Sequence, residues 1–291
     1  MTEPAKTSVT VTGAGGYIGP HVVSALADLG FDPVAVVRPG RAGSIAQHPR
    51  ARVVEADILE TGFDIRRIAG DDTYAFVHLA WQDGFTHNAP SHIDYLPVHH
   101  RLLTAVAQSG VPRVAALGTM HEVGYWEGAI DADTPTSPIS LYGIAKDALR
   151  RSTTLVIGDS AEYAWLRCYY ILGDDRRNRS IFTKLLEAAD RGDTEFPFTT
   201  GRNRYDFIDV AELGRQIAVA ATTPGATGVI NCSSGEPMSL ADRVEQFIRD
   251  NDLPIALRYG AFPDRPYDSP GVWGDATRIR QLMAASPFGA R

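Results

Sequence analysis

The sequence predicts an α/β protein in which a doubly wound parallel sheet carries a smaller C-terminal lobe. Three observations lead there. Short β-branched runs alternate with amphipathic stretches through the first half, and a glycine-rich turn links the first run to the first helical pattern. After Gly173 the texture changes to loop-forming residues and scattered prolines. Alternation at this rhythm requires right-handed crossovers and a sheet covered on both faces by helices.

The runs at 9–12, 34–37, 52–54, 75–79, 114–117 and 164–167 read as buried strands. Between them Ile18, Val22, Leu26 and Leu29 recur at helical spacing, as do Leu102, Leu103 and Val106. Beyond 173 a helix pattern covers 180–189, a strand 207–210, and a second helix continues to 221. Pro237, Pro254, Pro263, Pro266 and Pro270 break the remainder into short elements and loops. The expected division is a main domain over 1–172, with 203–235 returning to it, and a lobe made of 173–202 and 236–291.

Composition narrows the function. The 291 residues are 44% hydrophobic and 22% charged, ordinary values for an ordered globular chain. A net charge of −7 argues against wrapping a nucleic-acid backbone, which needs clustered cations. No apolar run approaches the roughly 18–20 residues that span a bilayer. Residues 1–8 are polar and carry no signal-like apolar segment, so a cytoplasmic protein is expected. Cys168 and Cys232 match no metal-ligand spacing and read as buried free thiols. The histidines, His99 and His100 included, form no zinc pattern, and no metal is expected.

The first strand runs directly into Gly13-Ala14-Gly15-Gly16-Tyr17-Ile18-Gly19 and then a helix. Glycine is needed where the chain turns tightly, where backbone approaches a pyrophosphate and where helix packs on strand. The helix start offers free N–H groups and a positive dipole end to phosphates. Strand, turn and helix in this order point to a Rossmann-type fold with a dinucleotide on Gly13, Gly16, Tyr17, Ile18 and Gly19. Nineteen residues past Gly19, at the end of the second strand, stands Arg38, with Arg41 close behind. An acidic residue there would accept from the ribose of NAD, whereas a guanidinium suits the 2′-phosphate of NADP. NADP(H) is therefore favoured and NAD(H) remains possible, because Arg38 could equally be a solvated surface residue. Asp57, after the third strand, is placed for the adenine edge, with helix capping as the competing role.

Leu141-Tyr142-Gly143-Ile144-Ala145-Lys146 opens a helix. Positions i and i+4 share a face, so Tyr142 and Lys146 point the same way. A phenol of pKa about 10 is a poor base at neutral pH, and a neighbouring ammonium is expected to lower that value. The fifth strand ends in Gly118-Thr119, and ligands sit beyond the carboxyl ends of such strands. The Thr119 hydroxyl should thus face the cofactor, unless it caps a turn.

On these motifs the chain resembles the extended short-chain dehydrogenase/reductase family, the group of nucleotide-sugar epimerases, dehydratases and reductases. The turn at 13–19, Asp57-Ile58, His78-Leu79-Ala80, Thr119, Tyr142-x-x-x-Lys146, the stretch 204–210 and the closing stretch 274–279 echo its motifs in order. The resemblance implies that Tyr142 transfers the proton, Lys146 holds the nicotinamide ribose and tunes Tyr142, and Thr119 bonds the substrate oxygen. It implies cofactor contacts from Ile58, Leu79 and Ala80. For an activated sugar it implies Asn178 and Arg265 at the diphosphate or nucleoside, with Arg202 and Arg204 as further candidates. A homodimer through the helix of the Tyr-Lys pair and the one before it is also expected.

Departures bear on the substrate. Tyr205 stands where many relatives carry an arginine, and Trp81 follows Ala80 where most have a second alanine. Met120 and His121 follow Thr119 in place of the Asp-Glu pair of sugar 4,6-dehydratases, so that elimination lacks its acid and base. Trp81 and His121 become candidate substrate contacts. The reading is a reductase of a nucleotide-linked 4-keto-6-deoxysugar at C4. Its alternatives are a nucleotide-sugar 4-epimerase with retained NAD, a carbonyl reductase of a non-nucleotide substrate, and a non-catalytic dinucleotide-sensing or scaffold protein.

Overall fold

The computed structural model describes residues 7–45, 48–173, 180–263 and 269–289. β1 (Ser8–Thr12), buried along its length, feeds α1 (Gly19–Asp28). β2 (Asp32–Val37), β3 (Arg52–Glu55) and β4 (Thr73–His78) follow. Next come α2 (Ser91–Asp94), α3 (Leu96–Gln108), β5 (Arg113–Thr119), β6 (Gly128–Ile130), α4 (Leu141–Ile157) and β7 (Glu162–Cys168). Then β8 (Tyr170–Leu172), α5 (Ile181–Asp190), β9 (Glu195–Pro197), β10 (Arg204–Asp209), α6 (Val210–Thr222) and β11 (Gly228–Cys232). The described chain closes with β12 (Pro237–Ser239), α7 (Leu240–Asp250), β13 (Ala256–Arg258), β14 (Gly271–Gly274) and α8 (Thr277–Ala284).

Seven parallel strands form the main sheet in the order β11-β7-β5-β4-β1-β2-β3. All six strands expected from the sequence are there, and β11 is the seventh. Successive side chains alternate between the faces. Val9, Val11, Ala35, Val37, Ala75 and Val77 join the core under α1 and α6, while Val34, Val36, Phe76, Val114 and Ala116 join the core under α3 and α4. Both faces are buried, which is why these strands read as continuous apolar runs. Strand order reverses between β1 and β4, so a crevice opens beyond their carboxyl ends.

The second sheet has the order β12-β10-β14-β6, with β8 paired to β10. A separate core of Phe182, Leu185, Phe198, Val244 and Phe247 binds α5 to α7 in this lobe. Two elements cross between the layers. β6, from the first half of the chain, joins the lobe sheet, and α8, from the C-terminal stretch, packs on α6 and β11. Buried Asp206 pins the crossing. Its carboxylate accepts from the N–H groups of Ser234 (2.8 Å), Gly235 (2.9 Å) and Gly274 (3.1 Å) and from the Ser234 hydroxyl (2.6 Å). Cys168 and Cys232, far apart in sequence, are register partners on β7 and β11, both free and buried.

Candidate active site

A cleft of about 1460 Å³ runs from the glycine turn across the carboxyl ends of the main strands to the lobe. At one end Gly13, at φ +72°, brings the turn so close to β4 that a Cβ there would sit 2.6 Å from the Ala80 nitrogen. α1 follows directly on Ile18, whose side chain caps nothing, and has a proline in its first turn. Pro20 has no N–H and that of His21 goes to the Ile18 carbonyl (3.1 Å), which leaves those of Ile18 and Gly19, both lining the cleft, for an anion to take. Arg38, Arg41 and Ser44 stand at the rim beside this turn, and Asp57, Ile58, Leu79 and Ala80 line the adjoining wall. The uncapped helix start, the glycine-rich turn and the continuous cleft fit a nicotinamide dinucleotide.

The other end is built by β5 and α4. Ser140 caps α4 by accepting from the Gly143 N–H (3.2 Å). A Cβ on Gly143 would lie 2.3 Å from the His121 carbonyl oxygen, so only glycine lets the first turn press against the end of β5. That contact brings Tyr142 to the Thr119 hydroxyl, its hydrogen-bond partner. Thr119 in turn belongs to a capping box. Its hydroxyl accepts from the His121 N–H (3.3 Å), and its own N–H donates to Glu122 Oε1 (2.6 Å). Glu122 is fully buried, accepts from Trp165 Nε1 (2.8 Å) and faces Arg150 (3.4 Å) and Arg167 (3.7 Å).

Lys146 Nζ donates to the Leu117 carbonyl (2.7 Å) and lies 3.8 Å from the centre of the Trp81 ring. Burial lowers its pKa to about 7, with the Glu122 charge opposing. The Tyr142 pKa is raised by burial, with the Thr119 bond pulling the other way. This corrects the expectation that the ammonium lowers it. Nζ stands 6.0 Å from the Tyr142 ring centre and is itself desolvated, so desolvation outweighs attraction. Tyr142 is therefore a proton carrier at neutral pH rather than a phenolate.

Trp81 stacks on His99 (4.5 Å, 17°) and donates from Nε1 to His92 (3.0 Å). His99 shares a hydrogen bond with His78 (2.9 Å), and His78 shares one with Thr12 (2.8 Å), forming a buried floor under the cleft. Burial lowers the His78 pKa well below the usual value and the His99 pKa to about 3. Among the described residues no group of three or more His, Cys, Asp and Glu is arranged to hold a metal.

Gly13, Gly16, Tyr17, Ile18, Gly19, Arg38, Asp57, Ile58, Leu79, Ala80, Trp81, Thr119, His121, Tyr142 and Lys146 all line this one cleft. Arg204 does not join them. Along β10 the residues facing the cleft are Tyr205 and Phe207, while Arg204 donates to the Pro237 carbonyl (2.8 Å). Arg202 is likewise exposed away from it. Asn178 and Arg265 lie outside the described residues. Glu122 and His87 were not among the site residues expected from the sequence. For Glu122 the Thr-x-x-Glu spacing of a capping box was a usable signal. His87 sits in an aperiodic loop after β4, and its position past the carboxyl end of a central strand was the only clue.

The sequence profile of the NAD dependent epimerase/dehydratase family matches residues 9–233. The chain belongs to this family. It is 40% identical over 269 residues to dTDP-6-deoxy-L-talose 4-dehydrogenase (NAD(+)) of Aggregatibacter actinomycetemcomitans, covering 92% of this chain and 99% of that one. It is 27% identical over 176 residues to dTDP-6-deoxy-L-talose 4-dehydrogenase (NAD(P)(+)) of Kitasatospora kifunensis, covering 56% and 54% of the two chains. The fold is that of UDP-N-acetylglucosamine 4-epimerase from Methanobrevibacter ruminantium, solved with UDP-N-acetylmuramic acid. That match has a TM-score of 0.79 at 19% identity and covers 98% of this chain and 94% of that one. Among the described residues no helix is long and apolar enough to cross a membrane.

Proposed function

We propose that this protein is a nucleotide-sugar oxidoreductase that interconverts a 4-keto-6-deoxysugar and its 4-hydroxyl form on a nucleoside diphosphate. The observation that carries the reading is the Thr119–Tyr142 pair at the far end of a cleft that begins on a dinucleotide turn. The relative sharing 40% identity over nearly its whole length is named for oxidation at the same carbon.

A bound nicotinamide would carry the hydride to or from C4. Thr119 Oγ1 donates to the sugar O4 and orients it. Tyr142 Oη gives its proton to O4 in the reductive direction and takes it back in the oxidative one. The Lys146 side chain, whose pKa of about 7 leaves it partly charged near neutrality, stabilises the phenolate left behind. Glu122, the carboxylate of the turn after Thr119, is turned into the interior and held by Trp165, so no acid from that turn faces the cleft for an elimination. Reduced cofactor should be consumed one for one with a dTDP-linked 4-keto-6-deoxyhexose. Rapid reduction of simple ketones, without response to the sugar nucleotide, would favour the carbonyl-reductase alternative.

For the cofactor, Arg38 and Arg41 beside Ser44 support NADP(H), while the name of the 40% relative points to NAD. Arg38→Asp should reduce the preference for NADP over NAD by about tenfold or more, as expected for a charged hydrogen bond of roughly 1.5–3 kcal/mol. Steady-state kinetics with both cofactors measures this, and an unchanged ratio returns Arg38 to the solvated surface. Residues 1–172 with 203–235 would hold the cofactor, and 173–202 with 236–291 the sugar nucleotide. Asn178 and Arg265 remain the candidates for its diphosphate. Exposed Ile144 and Leu155 on α4, with Ile93 at α2, support a homodimer through this face. The two free thiols support a cytoplasmic location.

A further inference from the structure

The ring of Tyr142 is surrounded by the rings of Trp81 (6.2 Å), His87 (5.6 Å), His92 (5.2 Å) and His121 (6.0 Å). Two of these have structural employment. Trp81 covers Lys146, and His92 bonds Trp81 and the Thr86 carbonyl. His87 and His121 differ. Their rings touch at 4.3 Å, both line the cleft, and among the described residues neither has a protein partner for its ring nitrogens. Yet the backbone of His87 is fixed, because its carbonyl accepts the Tyr142 N–H (2.9 Å) and so caps the catalytic helix. The imidazole is thereby held nearly parallel to the Tyr142 ring (16°) without serving the cap itself.

We propose that His87 and His121 form a hydroxyl-recognition pair that holds the C3 hydroxyl of the sugar, next to the carbon whose oxygen Tyr142 protonates. The inference rests on the C4 oxidoreductase reading. Of the two ring carbons flanking C4, C5 bears the 6-deoxy methyl and the ring oxygen, so only C3 presents a free hydroxyl. His87 and His121 pack beside the ring of Tyr142, whose hydroxyl O4 must approach, so a hydroxyl on the adjoining carbon can come within their reach. The chemistry of the pair suits that group. Burial lowers the pKa of both rings, His121 to about 4, with each histidine acting against the next along the His92–His87–His121 series. Both are therefore neutral at neutral pH and offer one donor and one acceptor each, which matches a hydroxyl and not a phosphate. A site built to hydrogen-bond a hydroxyl rejects the analogue lacking it strongly, since its own polar atoms are then left unpaired.

The test compares kcat/KM for a dTDP-linked 4-keto-6-deoxyhexose and for the same compound without the C3 hydroxyl, in the parent enzyme, His87→Phe and His121→Phe. Phenylalanine keeps the ring packing on Tyr142, and at 87 the carbonyl cap is untouched. The parent should prefer the 3-hydroxy compound by about a hundredfold or more. In each variant that ratio should collapse to within about tenfold. A variant that loses activity equally on both compounds, ratio unchanged, assigns the histidine to packing and overturns the inference. A parent that reduces both compounds equally well overturns it while leaving the C4 reading intact. A parent that reduces neither removes that reading as well.

Discussion

Tyr142→Phe lowers turnover by about a hundredfold or more, the usual worth of a positioned acid, while the dinucleotide still binds. The expectation follows from burial. Desolvation keeps the phenol protonated, and the Thr119 hydroxyl fixes its direction, so it is poised to deliver a proton to O4. Phenylalanine preserves the ring contacts with Trp81, His87, His92 and His121 and deletes only the hydroxyl. Dissociation constants for the cofactor should therefore move little, and the loss should fall on kcat. Steady-state rates beside cofactor titrations check this. Activity within a few-fold of the parent would remove Tyr142 as the proton donor.

Acid should destabilise the fold well before its carboxylates protonate. His78, His99 and His121 all have pKa values lowered by burial, to about 3 for His99 and about 4 for His121. In the unfolded chain each binds a proton below pH about 6.5, whereas in the folded one each stays neutral until far lower pH. The unfolded state thus holds about three more protons near pH 5, so stability falls by about 4 kcal/mol per pH unit there. The carboxylate of Asp64, by contrast, is lowered to about 2 and loses its contribution only below pH about 4. The melting temperature should drop by roughly 10–20 °C between pH 7 and pH 5. His99→Gln should make that slope about one third shallower. A melting temperature flat across this range would contradict the neutral histidine floor.

Much of the fold was legible because both faces of the main sheet are covered. Strands such as 9–12 and 34–37 then stand out as apolar runs between helical patterns. The glycine turn and the i, i+4 spacing of Tyr142 and Lys146 are local, so they too could be read directly. What could not be read depends on packing between distant segments. Arg204 looked like a ligand contact, but the register of β10 aims Tyr205 and Phe207 into the cleft instead. The lowering of the Tyr142 pKa expected from Lys146 failed because depth, which no spacing encodes, desolvates both groups. His87 was invisible because its place depends on a loop folding back to cap α4. β6 and α8 changed layers for a similar reason, since partners for short strands and terminal helices are chosen by tertiary contacts.

The most direct measurement follows the hydride. The enzyme is incubated with dTDP-linked 4-keto-6-deoxyhexose and nicotinamide cofactor carrying deuterium at the transferable C4 position, and the product is read by NMR. One deuterium should appear at sugar C4 for each cofactor oxidised. No deuterium in the product and no oxidation of added cofactor, with interconversion of the C4 epimers when the 4-hydroxy nucleotide sugar is supplied instead, would overturn the C4 oxidoreductase reading and identify an epimerase with retained NAD.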